Sequence, residues 1–519
     1  MTSLLLLWLA ALGLLLVPGL DLPLRDWDEG IVARVALERA EALQALLRGD
    51  GSLTELLLPT YWGAPYLNKP PGLHLLSALP QIPWLAAEQL PPPWSVRLMP
   101  ALLASAVVPL AGLISHELRP TNRRAAIASA AIALTLLPLM RHGRLAMLDG
   151  ALVSASGLLW WQLLRCRWRS GVQALRPGLV AGLASSALLL LKAPLLLPVL
   201  LAGLVLLAMD RALSQQGWCW LLLGLGLGLL PGISWHLFHG LQRGAGALLL
   251  WGGDGAGRVL LDAGEGSDLG WRVPLLEVLE GGWPWLPLWP LAVAAAWRER
   301  RRPLGRWPLG LQLTTAAMVL PLRTQLPWYS HLLWPPLALL CGEGLHDLVA
   351  RQRHRWVSWS WCVLGILLLV MAGTGSAMGP TGWPWSSLLL AGAGLLGGGW
   401  WISRDEPSKR QRGLLVLVLG WGLALMHLWS SGLWLWELNE SWDPRPVAAD
   451  IRRLPAGEPV WLEGPTRPSL GWYAGRPLQR YRKSDPPPSG HWLVSPRQRN
   501  GCHLQEPVRP GNWQLWRCE

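Results

Sequence analysis

Apolar runs recur along the whole chain, separated by short polar stretches. Leu4–Leu20, Leu188–Met209, Leu221–Leu230 and Leu414–Met426 are among them. A helix needs about 20 apolar residues to cross the hydrocarbon core of a bilayer. The pattern predicts an all-α polytopic membrane protein. The first run lacks a basic flank and is followed by Pro18-Gly-Leu-Asp, a poor cleavage site. It therefore reads as a retained first span. The Gly and Leu richness of Leu221–Leu230 and Ala391–Gly399 predicts closely packed spans.

Charge supplies a topology. Only 15% of the 519 residues are charged and 51% are hydrophobic, which excludes a string of soluble domains, a disordered chain and a small disulfide scaffold. The net charge of +13 sits in short loops between apolar runs. These are Arg119/Arg123/Arg124, Arg165/Arg167/Arg169/Arg176, Arg298/Arg300/Arg301/Arg302/Arg306, Arg351/Arg353/Arg355 and Arg404/Lys409/Arg410/Arg412. Basic loops of this kind mark the cytoplasmic side, so the charge argues for membrane topology and against nucleic acid as a partner. An odd number of crossings must then separate Asp21 from Arg119. Leu98–Ser115 is taken as the second span, and Gly72–Ala87 as a helix lying on the outer face. Further spans are expected at 125–141, 150–165, 178–192, 194–209, 217–237, 283–297, 307–322, 327–345, 357–375, 385–402 and 413–436. That makes about thirteen transmembrane helices.

Two domains follow: a transmembrane domain over 1–436, with outer loops at 21–93 and 239–282, and a small outer domain over 437–519. Short strands are expected in the tail at Pro459–Leu462, Leu478–Arg482 and His491–Val494, between Pro/Gly turns, giving an α+β or β-rich fold. Cys166, Cys219, Cys341 and Cys362 fall near cytoplasmic span ends, whereas Cys502 and Cys518 fall in the outer tail. An oxidising compartment there permits a Cys502–Cys518 bridge; two free thiols are the alternative.

Polar residues gather where this topology meets the outer face. Asp26, Asp28 and Glu29 precede a helical pattern with Ile31, Val35, Leu43, Leu46 and Leu47 on one side and Arg34, Glu38, Glu41 and Arg48 on the other. This reads as an amphipathic interfacial helix. The acids can cap it, Asp26-x-x-Glu29 imitating a capping box, or one can serve as a general base. Lys69 precedes Pro70 and Pro71, which stiffen the chain. It can snorkel to lipid phosphate or hold a substrate phosphate. Asp149 sits at the outer interface and can pair with Arg144 or join a polar site. Gly257-Arg258 lies in a Gly-rich stretch, and Tyr329 and His331 enter a later span, where aromatic-belt packing is the plainer reading. No zinc spacing, Walker loop, dinucleotide fingerprint or serine elbow is present.

Seven motifs occur in order: Asp28-Glu29, Tyr66–Pro71, Arg97–Ala101, Arg144–Asp149, Lys192–Pro194, Gly257-Arg258 and Gln325–Tyr329. Over roughly Trp8 to Leu345 the set resembles glycosyltransferase family 39 and the related lipid A aminoarabinose transferases and protein O-mannosyltransferases, which have the GT-C fold. The resemblance implies transfer of a sugar from a polyprenyl-phosphate donor to an acceptor hydroxyl on lipid, glycan or protein, usually with inversion. It implies a plasma or inner membrane enzyme with its site on the periplasmic side. By the same resemblance Asp28 is the base or orients the acceptor, Glu29 supports it, and Asp149 is a second acid. Lys69, Arg258 and Tyr329 are implied as donor-phosphate ligands, supported by Tyr66, Arg144 and His331. The clustered acids leave room for a divalent cation without requiring one. Gln325 stands where the family often has Lys, and Asn68 where aminoarabinose transferases usually have Glu. The competing class is a transporter or lipid flippase. Transporters place ionisable groups near the midplane, whereas here they crowd the outer ends of spans.

Overall fold

The structure, a computed structural model, describes residues 2–248, 272–323, 325–352, 354–379, 382–431, 443–482, 489–504 and 513–519. They gather into two compact units. The first comprises Met1–Pro18, Leu67–Leu73 and Pro100–Ser431, and the second Gly19–Tyr66, His74–Met99 and Gly432–Glu519.

The first unit is helical, and each apolar run of the sequence lies in or over helix. Helices satisfy every backbone group within the segment, which lipid demands. Among the described residues five segments are long and apolar enough to cross a membrane: Pro93–Leu118, Gly171–Asp210, Gln215–Arg243, Trp356–Met378 and Pro407–Trp429. The pair Arg123–Thr135 and Leu137–Gly143, bent by 57°, makes a sixth if taken as one span. The chain is an integral membrane protein. The charge pattern asked for thirteen crossings; length and apolarity alone support five or six. The other helices are shorter, as Trp289–Arg298 is, or richer in Gly, Trp and polar residues, as Asp149–Cys166 is.

Small residues set the tightest packing. Helices Leu175–Lys192 and Gln215–Arg243 approach so closely that a Cβ on Gly182 would lie 2.3 Å from the Leu225 carbonyl oxygen, and one on Gly228 equally near that of Leu179. Ser186 Oγ bridges the same pair, donating to the Gly228 carbonyl and accepting from Gly232 N–H, both at 2.9 Å. Where lipid is as apolar as leucine, close backbone approach and such hydrogen bonds hold helices together.

Two prolines shape helix ends. Pro194 cannot continue the helix Leu175–Lys192. Lys192 turns out of it at φ −156°, ψ 85°, before a 3-10 turn Ala193–Leu195 leads into Leu196–Asp210. Leu136 is extended (φ −71°, ψ 113°) at the 57° bend, two residues before Pro138.

At the far end of Leu196–Asp210 the Asp210 carboxylate is fully buried. It meets Arg167 Nε at 3.0 Å, Arg306 Nη1 at 2.8 Å and the Trp307 indole N–H at 2.8 Å. One acid thus ties together two of the basic loops.

The second unit combines the first loop with the tail. Its long helix, Asp28–Arg48, departs from the expected amphipathic split. Glu38 is buried, and Leu47, expected on the apolar side, is exposed. The reason is the loop that follows. Strands β1 (Thr60–Tyr61) and β2 (Ala64–Pro65) form a hairpin whose two-residue turn, Trp62-Gly63, has positive φ at both positions. Glu38 accepts from Trp62 N–H at 2.6 Å, from Arg34 Nε at 2.8 Å and from the Thr60 hydroxyl. Arg39 donates to the Leu58 carbonyl at 2.8 Å and to Thr60 Oγ1 at 2.6 Å. The polar face therefore binds loop backbone.

The tail forms a five-stranded sheet of β3 (Val460–Leu462), β4 (Gln479–Arg480), β5 (His491–Ser495), β6 (Cys502–Leu504) and β7 (Gln514–Cys518), in the order β4-β3-β5-β7-β6. β3 runs parallel to β4 and β5; β7 is antiparallel to β5 and β6. Cys502 and Cys518 face each other across β6 and β7 and are disulfide-bonded. The three expected strands are present. β6 and β7, which were not among the expected strands, close the sheet.

Removing the Asp210 carboxylate leaves two largely buried guanidinium groups facing each other. Asp210→Ala is expected to destabilise the protein by about 3–5 kcal/mol, the cost typical of breaking a buried pair. A thermal-unfolding series in detergent, with Asp210→Asn as the charge-only control, checks this.

Candidate active site

The first acidic residues after the initial helix have three different environments. Glu29 is fully buried and grips Arg97, which is 1% exposed. Arg97 Nε donates to Glu29 Oε1 at 2.8 Å and Nη2 to Oε2 at 2.6 Å. The remaining guanidinium donors go to the carbonyls of Leu20 and Leu22, both 2.7 Å, and Pro23, 2.8 Å. Glu29 Oε2 also accepts from the Arg25 N–H at 2.7 Å. All five guanidinium hydrogens are therefore used, the full capacity of the side chain.

Asp26 faces the tail. Arg467 Nη1 donates to its Oδ2 at 2.5 Å and Ser469 Oγ to its Oδ1 at 2.7 Å. Burial holds its carboxyl above the usual range, opposed by Ser469 and Arg467. The capping-box expectation is corrected here. The helix begins at Asp28 with Trp27 as its N-cap and no side-chain cap bond, because Asp26 is engaged by the tail and Glu29 by Arg97.

Asp28 remains the accessible acid. It opens the first helical turn, where an anion meets the positive end of the helix dipole. Its side chain is 31% exposed, with Arg25 Nη1 3.8 Å away. Tyr66 is electrostatically coupled to it: burial, with Asp28 and then Tyr61 adding to it, raises the Tyr66 phenol above its ordinary range. The Tyr66 ring lies edge-on to His74, centroids 5.5 Å apart.

The other predicted residues that fall among the described ones belong to the first unit. Lys69 is half-buried, and its ammonium donates to Asn68 Oδ1 at 3.1 Å. Gly72, three residues on, presses against the end of helix Leu175–Lys192: a Cβ there would be 2.7 Å from the Leu190 carbonyl oxygen. At that same helix end, the Lys192 ammonium sits 4.6 Å above the Tyr329 ring, a cation–π distance. The Lys69 loop, Lys192 and Tyr329 thus share one helix terminus. Asp149 begins helix Asp149–Cys166 and is half-buried. Arg144 is buried with its guanidinium 5.3 Å over the Trp429 ring. His331 Nε2 lies 3.0 Å from His142 Nδ1 and 3.2 Å from the Pro138 carbonyl oxygen, linking the Tyr329 turn to the bent helix pair. Arg258 lies outside the described residues. Among the described residues no three His, Cys, Asp or Glu side chains converge to hold a metal ion.

Four participants carried no assigned role in the sequence reading. Arg97 and Lys192 stood in quoted motifs, and each is an ionisable group in or ending an apolar run, which is itself a functional signal. Arg467 and Ser469 lie in the tail, and nothing local to them announces a partner 441 and 443 positions away.

Residues 80–209 match the family model of dolichyl-phosphate-mannose-protein mannosyltransferases. No curated protein sequence matches the chain. Among solved structures it is similar to ArnT from Cupriavidus metallidurans bound to undecaprenyl phosphate, at 17% identity and TM-score 0.73, covering 99% of this chain and 97% of that one. The apo state of the same protein matches at 18% identity and TM-score 0.69, covering 93% and 86%. The archaeal oligosaccharyltransferase AglB from Archaeoglobus fulgidus, in complex with an inhibitory peptide and a dolichol-phosphate, matches at 10% identity and TM-score 0.51, covering 92% and 64%. The likeness establishes the fold: this chain has the GT-C fold of an ArnT-like protein, completed by a small C-terminal sheet.

Two outcomes follow from the acids. Arg97→Ala leaves Glu29 buried without its counter-charge and should cost about 3–5 kcal/mol of stability. Arg97→Lys should recover little of it, since one ammonium cannot replace a five-donor planar fork; thermal unfolding of both variants measures this. Asp26 carries a pH signature. A raised carboxyl pKa means the folded chain keeps the proton to a higher pH than the unfolded one. The contribution is complete below the ordinary Asp value of about 3.9 and is lost as pH rises through the folded value. The wild-type thermal midpoint should therefore fall relative to that of Asp26→Asn as pH is raised from about 4 toward 7.

Proposed function

We propose that this protein is a membrane glycosyltransferase that moves a sugar from a polyprenyl-phosphate donor to an acceptor hydroxyl, with inversion. The observation that carries this reading is the convergence at one helix terminus of the Lys69 loop, Lys192 and Tyr329, on a fold shared with a protein solved with undecaprenyl phosphate bound. The match to the dolichyl-phosphate-mannose-protein mannosyltransferase model supports the same chemistry.

The reaction divides among the residues as follows. The acceptor hydroxyl attacks the anomeric carbon. Asp28, half-exposed at a helix start, takes the hydroxyl proton as general base. The bond from the anomeric carbon to the phosphate oxygen breaks, and polyprenyl phosphate leaves with the electron pair. A single in-line displacement inverts the anomeric centre. Lys69, Lys192, Tyr329 and Arg258 bind the donor phosphate and stabilise the charge that grows on it. Asp149 is the second acid of the site. Tyr66, Arg144 and His331 are supporting residues. The site works on the face of the membrane opposite the basic loops, which is the periplasmic or extracytoplasmic side. The acceptor is a lipid, glycan or protein.

The expected result is specific. Purified protein in nanodiscs is incubated with a panel of polyprenyl-phosphate hexoses and pentoses, and sugar release or transfer is followed. Asp28→Asn should lower kcat by about 100- to 10,000-fold, as loss of a general base does. Lys69→Ala should cost about 2.7–4 kcal/mol of transition-state stabilisation. Turnover that survives both substitutions overturns the assignment. Solute transport by reconstituted vesicles, insensitive to both, would establish the transporter reading instead.

A further inference from the structure

The stretch 21–30, which carries Asp28, is gripped from the C-terminal tail on both sides of that residue. Arg445 Nη1 reaches the Asp21 carbonyl at 3.4 Å. The Tyr473 hydroxyl accepts the Leu24 N–H at 2.9 Å. Arg467 and Ser469 bind the two oxygens of the Asp26 carboxylate at 2.5 and 2.7 Å, and Ser469 N–H donates to the Asp26 carbonyl at 3.3 Å. Past Asp28, the backbone at Pro468–Ser469 lies so close to Gly30 that a Cβ there would come within 2.3 Å of Ser469 N. Only glycine admits this approach.

The tail places the Arg467 guanidinium, two hydroxyls and a backbone amide on backbone or carboxylate atoms within four residues of Asp28, and Arg445 adds a second guanidinium further back at Asp21. Arg467 is itself braced, its guanidinium lying 4.9 Å over the Trp513 ring of the residue leading into β7. The tail sheet is thereby connected to the acid turn through one arginine.

We propose that the C-terminal segment Arg467–Tyr473 is the positioning element for the base: Arg467, Ser469 and Tyr473 fix the turn from which Asp28 projects, and so set the rate of the chemical step without binding the donor. This rests on the reading of Asp28 as base. The three are positioning residues that act through Asp26 and the Leu24–Gly30 backbone. A base displaced by about 1 Å loses up to roughly 100-fold in rate even when the change lies away from the chemistry.

The test uses the full-length protein in nanodiscs and whichever polyprenyl-phosphate sugar supports turnover. The variants are Arg467→Ala, Arg467→Lys, Ser469→Ala, Tyr473→Phe and Asp26→Asn. Arg467→Ala with Ser469→Ala should lower kcat by about 10- to 100-fold. The KM for donor and the affinity for polyprenyl phosphate alone should change less than about threefold, because uniform binding is untouched. Arg467→Lys should restore part of kcat. Combining Asp26→Asn with Arg467→Ala should cost no more than the worse single change, as expected for groups acting as one unit. Should Arg467→Ala fail to fold, Ser469→Ala and Tyr473→Phe, which each remove one hydroxyl, carry the same kcat-against-KM comparison. Unchanged kcat in folded tail variants overturns the proposal, as does a loss confined to donor KM, or strict additivity of Asp26→Asn and Arg467→Ala. The underlying reading is tested separately by Asp28→Asn. Wild-type turnover in that variant removes Asp28 as base whatever the tail variants do, and removes the positioning role with it. Reduced kcat in the tail variants beside an inactive Asp28→Asn supports both.

Discussion

Glu29 and Arg97 form an ion pair from which water is excluded on both sides. Taking two such charges out of water is costly, and their attraction offsets the cost only when the remaining donors are also satisfied. Here they are. The three guanidinium hydrogens not directed at Glu29 go to the carbonyls of Leu20, Leu22 and Pro23, in the segment between the first helix and Asp28. The pair is therefore a backbone fixture as much as an electrostatic one. It folds the segment after the first helix around a single planar cation. The helix that starts at Asp28 then inherits its position from that fold.

The same constraint sorts three nearby acids into different tasks. Glu29 is consumed by Arg97, and Asp26 by Arg467 and Ser469. Asp28 keeps about a third of its side chain exposed. A general base must reach substrate, so the two flanking carboxylates cannot serve in that way; their value lies in rigidity. The order along the chain explains it. Asp28 and Glu29 are adjacent in a first helical turn and point about 100° apart, so burying one leaves the other outward. Acids at positions 26, 28 and 29 looked like a cap in the sequence, yet the cap position is Trp27 and carries no side-chain bond.

What was legible in the sequence was whatever depends on local composition. Apolar runs gave helices, and Gly-rich stretches gave the close helix pairs at Gly182/Gly228 and Gly394/Gly420. Pro194 fell at the boundary between the spans expected at 178–192 and 194–209, whereas the bend at Leu136 falls inside the single span expected at 125–141. What was not legible depends on partners far along the chain. Glu38 read as part of the polar side of its helix because the groups it binds, the Trp62 backbone amide and the Thr60 hydroxyl, belong to a hairpin more than twenty residues on and leave no trace in the local pattern. The contact of Asp26 with Arg467 spans 441 positions and rests on one guanidinium. Strands β6 and β7 pair with each other and are joined by the Cys502–Cys518 bridge, and Cys502, Trp516 and Cys518 pack with Leu493 of β5, a grouping that spans the tail and is set by register. The number of crossings was also beyond reach, since basic loops report on sidedness and say little about whether a ten-residue helix such as Trp289–Arg298 spans.

The two departures from the related sequences find a physical place in the first unit. Gln325, where the related transferases often carry Lys, is fully buried, and its Nε2 donates to the carbonyls of Val319 and Leu322 at 2.8 and 2.7 Å, closing the end of helix Pro303–Val319. A lysine there would bring a charge to a site built for a neutral amide. Asn68 accepts from Lys69 without adding the negative charge that Glu would. One potential cation is thus removed at Gln325 and one potential anion at Asn68. Under the proposed chemistry the donor is a phosphodiester with one negative charge, and the leaving phosphate carries nearly two. Cations that hold the diester loosely and the leaving group tightly accelerate the step, whereas cations that hold both equally only lower KM. On that proposal Lys69, next to a neutral amide where Glu would add a charge, and Lys192, which turns out of its helix before Pro194 and lies over Tyr329, would supply that positive charge in place of the missing lysine.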